Sequence, residues 1–133
     1  MDRITVLLVE PLEKPRLVTV EHTLENLQEL VGGYIAATYP WDDRIGLVCA
    51  DEGIDLGYPL NRVLIDEQGK VYDIIHGAFF LCGFTTEDFT SIPDKLVRKY
   101  MRRFRYPEFF FRTLDEHVYC VRLGADDMPI RIA

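Results

Sequence analysis

Two adjacent polar residues within an apolar stretch give the strongest indication of a binding site in this sequence of 133 residues. Asn61 and Arg62 follow a Pro-Leu bend and lead into the apolar run Val63–Ile65. An amide beside a guanidinium can hold a phosphate, a carboxylate or a base edge, and arginine is suited to paired hydrogen bonds. The structural alternative is that Asn61 bonds the backbone of the turn and that Arg62 pairs with Asp66 or Asp73.

Asp73 and His76 are the next candidates, because a carboxylate and an imidazole can share acid–base work. Residues three apart on a strand point to opposite faces, so the two meet only if a bulge intervenes, which Gly77 would permit. We predict a ligand-binding corner formed by Asn61, Arg62, Asp73 and His76. A hydrolase or transferase that acts through Asp73 and His76 is retained as an alternative.

A basic segment stands out against an acidic chain. The net charge is −7, yet residues 95–105, KLVRKYMRRFR, carry six basic residues and no acid. This segment could contact nucleic acid or an acidic protein surface. The structural alternative is a solvated outer helix face. The candidate contact residues are Lys95, Arg98, Lys99, Arg102 and Arg103.

The cysteines and histidines are scattered. The three cysteines are odd in number, form no CxxC motif and lie in apolar runs, which indicates buried thiols in a reducing, cytoplasmic compartment. The histidines are equally far apart, so we predict no metal site and no cofactor. No apolar run approaches the roughly 20 residues of a membrane span, so we expect no membrane association.

Hydrophobic patterning predicts a single domain over residues 1–133. A central hairpin joins Val63–Ile65 to Val71–Ile75, a further strand covers Ala78–Phe84, and an earlier hairpin joins Ile4–Val9 to Arg16–Val20. Helices are expected over 24–38, capped by Thr23 and running past Gly32-Gly33, and over 93–105. The remaining expectations are strands at Ile54–Leu56, Glu116–Leu123 and Ile130–Ile132, and a connection at Pro107–Phe111.

These elements predict an α+β fold. We expect a mixed, mainly antiparallel sheet of about five or six strands, with two main helices packed on one of its faces. That arrangement would place the central hairpin, and with it Asn61 and Arg62, at the edge of an apolar layer.

Four motifs occur together and in order: LLVEP, LQELVGGYI, PLNR and DIIHG. With them the chain resembles a family of small acidic proteins classed as a domain of unknown function (DUF), found in bacteria and on their phages, plasmids and integrative elements. The resemblance covers nearly the whole chain. It implies a stand-alone cytosolic domain carried by mobile DNA, and it supplies no catalytic residues.

The sequence therefore favours a non-enzymatic accessory protein of a mobile genetic element that binds a host protein or a small ligand. A counter-defence factor, which sequesters a signal or blocks a nuclease, is one concrete version of this prediction. The first alternative is a nucleic-acid-binding regulator that uses the basic helix, and the second is the hydrolase or transferase above. A homodimer is compatible with each of them.

Overall fold

Residues 2–133, which the computed structural model describes, form eleven strands and two helices. The helices are α1 (Leu24–Val31) and α2 (Asp94–Arg103). The strands are β1 (Arg3–Val9), β2 (Arg16–Glu21), β3 (Ile35–Thr38), β4 (Ile45–Ala50), β5 (Leu60–Ile65), β6 (Val71–His76), β7 (Phe79–Phe84), β8 (Phe89–Thr90), β9 (Glu108–Arg112), β10 (Val118–Arg122) and β11 (Ile130–Arg131).

The fold is mainly β, so the predicted α+β class is wrong. The largest sheet has six strands in the order β2-β1-β7-β4-β3, with β8 paired to β7, and each of these pairings is antiparallel. Smaller sheets are formed by β9, β10 and β11 and by the β5–β6 hairpin. The helices contribute only 8 and 10 residues.

The predicted helix over 24–38 is the main reason for this error. Thr23 does cap α1, accepting a hydrogen bond from the Asn26 N–H at 3.2 Å. The helix ends at Gly32, which adopts φ of +82°, a left-handed conformation that glycine reaches without a Cβ penalty. The apolar residues after it that continue the helical spacing belong to β3, which pairs with β4.

The two helices lie on opposite faces of the six-stranded sheet, not on one face as expected. Alternate β1 side chains divide between two hydrophobic clusters. Val6 and Leu8 pack in the cluster that contains Leu27 of α1. Leu7 and Val9 pack in the cluster that contains Tyr100 and Phe104, at the end of α2. Because both faces are covered, the last four residues of β1, Val6–Val9, are all apolar and buried.

The β5–β6 hairpin covers the α2 side of this sheet. Leu64 and Ile75 belong to the same cluster as Tyr100. The predicted hairpin is thus confirmed, but β7, the strand that follows it, pairs with β1 and β4 in the large sheet. The pairing of β1 with β2 and the start of α2 beside Pro93 are also confirmed.

The C-terminal sheet was predicted only in part. Strands β10 and β11 lie within the predicted segments Glu116–Leu123 and Ile130–Ile132. The segment predicted as a connection instead contains β9, which pairs with β10. Residues Ile54–Leu56 form turns and not a strand. β9 was missed because its aromatic run lacks the strict alternation of a half-exposed strand.

Candidate functional site

The predicted ligand-binding corner begins with two buried side chains. Asn61 and Arg62 are both 0% exposed. Consecutive residues on a regular strand face opposite sides, but the β5–β6 register shifts between Leu60 and Arg62. The irregularity at Asn61 has the character of a β-bulge, which re-aims side chains locally. It brings the two neighbouring side chains into one hydrogen-bonded group.

This group joins separate parts of the chain. The Asn61 amide donates to the carbonyls of Val9 and Gly77, both at 2.9 Å. Arg62 donates to Asn61 Oδ1 at 2.8 Å, to the Glu13 carbonyl at 2.7 Å and to that of Phe104 at 3.1 Å. The predicted pairing of Arg62 with Asp66 or Asp73 is therefore wrong. Those carboxylates instead accept from nearby backbone N–H groups.

Glu108 on β9 extends the group. Its Oε1 accepts from the Val63 N–H at 2.8 Å and from Cys120 Sγ at 3.2 Å. Burial raises the pKa of this carboxyl, while the hydrogen bonds and the charge of Arg62 act in the opposite direction. We call Asn61, Arg62 and Glu108 the buried polar cluster. The hydrogen-bond partners of these three side chains are protein atoms, which indicates a structural role. Ligand binding by Asn61 and Arg62 stays a prediction.

Asp73 and His76 do not come together. They lie three positions apart on β6, opposite Leu64 and Leu60 respectively, and so face opposite sides of the strand. Asp73 accepts from the Ile74 N–H at 2.8 Å, and His76 Nδ1 lies 3.3 Å from the Tyr58 carbonyl oxygen. This geometry does not assemble the acid–base pair that the hydrolase or transferase alternative requires. Neither side chain hydrogen-bonds to Asn61 or Arg62, so the four predicted residues do not form one hydrogen-bonded corner.

A different site lies between α2, the β5–β6 turn and the loop before β4. This cleft has a volume of about 670 Å³. Its walls come from three parts of the chain: residues 40–43, residues 65–68 together with Tyr72, and the α2 residues Lys99, Tyr100 and Arg103. We call it the α2 cleft. Its volume falls within the range of roughly 300–1,000 Å³ that is typical of small-molecule sites.

Asp43 fixes one wall of the α2 cleft. Its Oδ2 accepts from Lys99 Nζ at 2.6 Å and from the Tyr100 hydroxyl at 2.7 Å. The hydrogen bond from Lys99 is the largest cause that lowers the pKa of Asp43, and the bond from Tyr100 comes next. Burial raises the pKa of Tyr100, with a further contribution from Asp43. The loop before β4 is thereby tied to α2.

Trp41 forms the aromatic floor next to this wall. Its ring packs against Tyr100 with centroids 4.9 Å apart and against Phe104 at 6.0 Å. The Arg103 guanidinium lies 5.2 Å from the Trp41 ring centroid and donates to the Ile65 carbonyl at 3.1 Å. The indole Nε1 is buried and has no acceptor among residues 2–133. On the hairpin side, Tyr72 is 49% exposed and faces the same space.

The predicted basic segment divides into two groups. Lys99 and Arg103 line the α2 cleft and already have protein partners. Lys95, Arg98 and Arg102 are exposed on the neighbouring part of the helix and have no ion pair within residues 2–133. We call the second group the basic stripe.

The thiols offer no activated nucleophile. Burial raises the pKa of Cys82 to about 12 and also raises the pKa values of Cys49 and Cys120. Residues 2–133 bring together no group of three or more histidine, cysteine or acidic side chains that could hold a metal ion. Neither α1 nor α2, the helices of the described chain, is long and apolar enough to cross a membrane.

Sequence reasoning missed the α2 cleft because its parts are far apart in the chain. Asp43 and Tyr100 are 57 positions apart. The available signals were a lone tryptophan and the two acids that follow it. Neither signal identifies the helix against which the tryptophan packs.

These observations define a mainly β domain with an aromatic and charged cleft. The chain belongs to the family described as domain of unknown function (DUF3846), whose model matches residues 4–105. The matched part includes the whole α2 cleft, whereas β9, β10 and β11 follow it. No match was found among curated proteins or among solved structures.

Proposed function

We propose that this protein is a non-enzymatic binding protein that receives its partner or ligand in the α2 cleft. The carrying observation is the convergence of Trp41, Tyr72 and several ionised side chains around a space of about 670 Å³. Concave sites with aromatic walls and a few placed polar groups are where proteins bind ligands. The bonds of Asp43 to Lys99 and Tyr100 hold two walls in place before any ligand arrives, which lowers the entropic cost of binding.

The chain offers an internal reporter for this proposal. Trp41 is its single tryptophan, so intrinsic tryptophan fluorescence reports on the α2 cleft alone. A titration with a fragment library of amines, carboxylic acids and neutral aromatics should contain members that shift or quench this emission with saturation. Tyr72→Ala should weaken those responses, because Tyr72 lines the cleft.

Tyr34→Ala is the matched control. Tyr34 is 73% exposed and lines a second depression, of about 320 Å³, that includes Ala50 and Leu56. The control should leave the Trp41 responses unchanged. Equal weakening by Tyr34→Ala, or no saturable response from any fragment, would contradict binding in the α2 cleft.

The proposal includes the biological setting that the motifs imply: an accessory protein of a mobile genetic element whose target is a host protein or a small molecule of the host. A counter-defence factor is the concrete form. The test is a survey of the genes that flank members of the family. Neighbours that belong to phages, plasmids and integrative elements are expected, and a consistent position inside chromosomal metabolic operons would overturn this part.

A second candidate function is nucleic-acid binding through the basic stripe, favoured by three exposed cations that lack ion pairs within residues 2–133. Affinity for a labelled DNA or RNA would then fall steeply with salt. Charge reversal at Arg98 and Arg102 should abolish it, whereas the same reversal at the exposed Arg112 should have little effect. No binding at low salt would remove this candidate.

A further inference from the structure

We propose that the group which the α2 cleft accepts is an organic cation, a primary amine or a guanidinium. It would belong either to a small molecule or to a lysine or arginine side chain of a partner protein. This inference rests on the proposed function, since it names the chemistry of the ligand in the same cleft. Three features of the cleft lead to this inference: the excess of acidic over basic residues, the aromatic rings, and the contacts that its basic residues already make with the protein.

The ionisable residues around the cleft carry an excess of negative charge. Four are acids, Asp42, Asp43, Asp66 and Glu67, and two are bases, Lys99 and Arg103. Asp43 is neutralised by Lys99 at 2.6 Å. The other three carboxylates are exposed and form no ion pair within 4.0 Å with any residue of 2–133. Arg103 is the cation of the lining that has no ion pair within residues 2–133, so a cation that enters the cleft meets three such carboxylates against one such base.

The aromatic rings suit the same ligand. The face of an aromatic ring attracts a cation within about 6 Å of its centroid. Trp41 already accepts one, because the Arg103 guanidinium lies 5.2 Å from its centroid. Tyr72 lines the cleft, is 49% exposed, and has no cation over its ring within residues 2–133. Tyr72 is thus the ring at which the cleft can take a further cation.

The opposite ligand, an anion, fits less well. Both bases of the cleft already have protein contacts: Lys99 pairs with Asp43, while Arg103 keeps its charge without an ion pair within residues 2–133 and contacts the Ile65 carbonyl and the Trp41 ring. A phosphate or carboxylate would have to displace these contacts and then lie close to the three uncompensated acids. Like charges at short range oppose that approach.

The test measures Trp41 fluorescence at about 0.15 M salt, where the Debye length is about 8 Å, with four probes: N-acetyl-arginine amide, putrescine, N-acetyl-glutamate and N-acetyl-glutamine amide. The two cations should give saturable responses, and the acid and the neutral amide should bind at least several-fold more weakly. The double variant Asp66→Asn/Glu67→Gln should lower the affinity for the cations by about 3- to 10-fold, the size expected for two exposed charge contacts. Tyr72→Ala should lower it by about 3-fold.

Glu25→Gln/Glu29→Gln is the matched control. It removes the same two charges from exposed positions on α1, which lies on the other face of the large sheet. It should leave cation affinity within about 2-fold of the parent protein, since exposed charges more than a Debye length apart are largely screened. An equal loss in this control would mean that net charge attracts the probes, and would overturn the inference.

The remaining outcomes separate the two proposals and the two ligand sources. A saturable response to the glutamate or neutral probe with none to the cations would preserve the proposed function and overturn this inference. Silence from both cations overturns it as well. An arginine-containing nonapeptide that binds at least about 10-fold more tightly than putrescine supports a protein partner, whereas the reverse order supports a small-molecule amine.

Discussion

Two arginines of this protein occupy contrasting environments. Arg62 in the buried polar cluster is 0% exposed, while Arg103 in the α2 cleft is exposed. The Arg62 guanidinium is held by Asn61 Oδ1 and two distant carbonyls, whereas Arg103 makes one hydrogen bond and covers a tryptophan ring. The contrast teaches that residue type alone does not distinguish a structural arginine from one that lines an open cleft. Burial and the number of fixed partners do.

The same contrast applies to the carboxylates. Glu108 in the buried polar cluster has its pKa raised, first of all by burial, while Asp43 in the α2 cleft has its pKa lowered by hydrogen bonds from Lys99 and Tyr100. Folding therefore favours the neutral form of Glu108 and the ionised form of Asp43. The two regions should respond in opposite directions to pH, and their variants should separate stability from binding.

The largest expected effect is the loss of the Arg62 side chain's hydrogen bonds. Arg62→Met keeps much of the volume but leaves Asn61 Oδ1 and the Phe104 carbonyl without their donor in a buried place, and the Glu13 carbonyl without its donor in a part-buried one. We expect a loss of about 3–5 kcal/mol in the free energy of unfolding, measured by urea denaturation. Arg98→Met makes the same chemical change at an exposed position and should stay within about 0.5 kcal/mol. A loss for Arg62→Met no larger than for this control would show that the cluster is not structural.

The next effect is a steric one beside the same cluster. Gly77 adopts φ of +79°, and a Cβ there would lie 2.9 Å from Tyr58 Cδ2. Because its carbonyl also accepts from Asn61, Gly77→Ala should cost about 1–3 kcal/mol of unfolding free energy. Gly33 has no atom within 4 Å of the corresponding position, so Gly33→Ala is the control with a small effect. Equal melting temperatures for the two variants would refute this account.

A smaller effect is expected from Glu108→Gln, because glutamine keeps an acceptor for the Val63 N–H. The folded-state pKa of Glu108 is raised above its ordinary value of 4.5. The parent protein therefore loses stability as the pH rises from that value through the folded pKa, and the variant lacks this loss. The stability of the variant relative to the parent should increase over this window in urea melts at several pH values. A difference that stays constant with pH would contradict the predicted sign.

The contrast also explains how much could be predicted from sequence. The hairpin that joins Val63–Ile65 to Val71–Ile75 and the Thr23 cap were predicted because each depends on residues close together in the chain. The end of α1 was missed because apolar residues continue at helical spacing beyond Gly32. The spacing of apolar residues does not reveal that this glycine adopts a left-handed backbone conformation. The burial of both Asn61 and Arg62 depends on an irregular pairing of β5 with β6, which the sequence pattern does not reveal. The α2 cleft depends on packing between segments that are far apart in the chain, so local patterns could not predict it.

The smallest expected effect lies in the α2 cleft. Asp43→Asn removes the charge that pairs with Lys99, an exposed partner, and should cost at most about 1 kcal/mol near neutral pH. The folded-state pKa of Asp43 lies below its ordinary value of 3.8. Its contribution is therefore present above 3.8 and is lost as the pH falls through the folded pKa, so parent and variant should converge in acid. Urea melts from neutral to acidic pH measure this convergence.

Asp42→Asn, at the exposed neighbouring residue, is the control and should stay within about 0.5 kcal/mol of the parent near neutral pH, because Asp42 accepts no hydrogen bond from a side chain of residues 2–133. Asp43→Asn should also loosen the loop that carries Trp41, so the Trp41 fluorescence should move towards that of a more solvated indole. An unchanged emission spectrum would mean that the packing of Trp41 on Tyr100 and Phe104 holds the loop by itself. In that case Asp43 would contribute charge to the cleft but would not make its wall rigid. Rigidity matters because a wall that is already held in place lowers the entropic cost of binding a ligand.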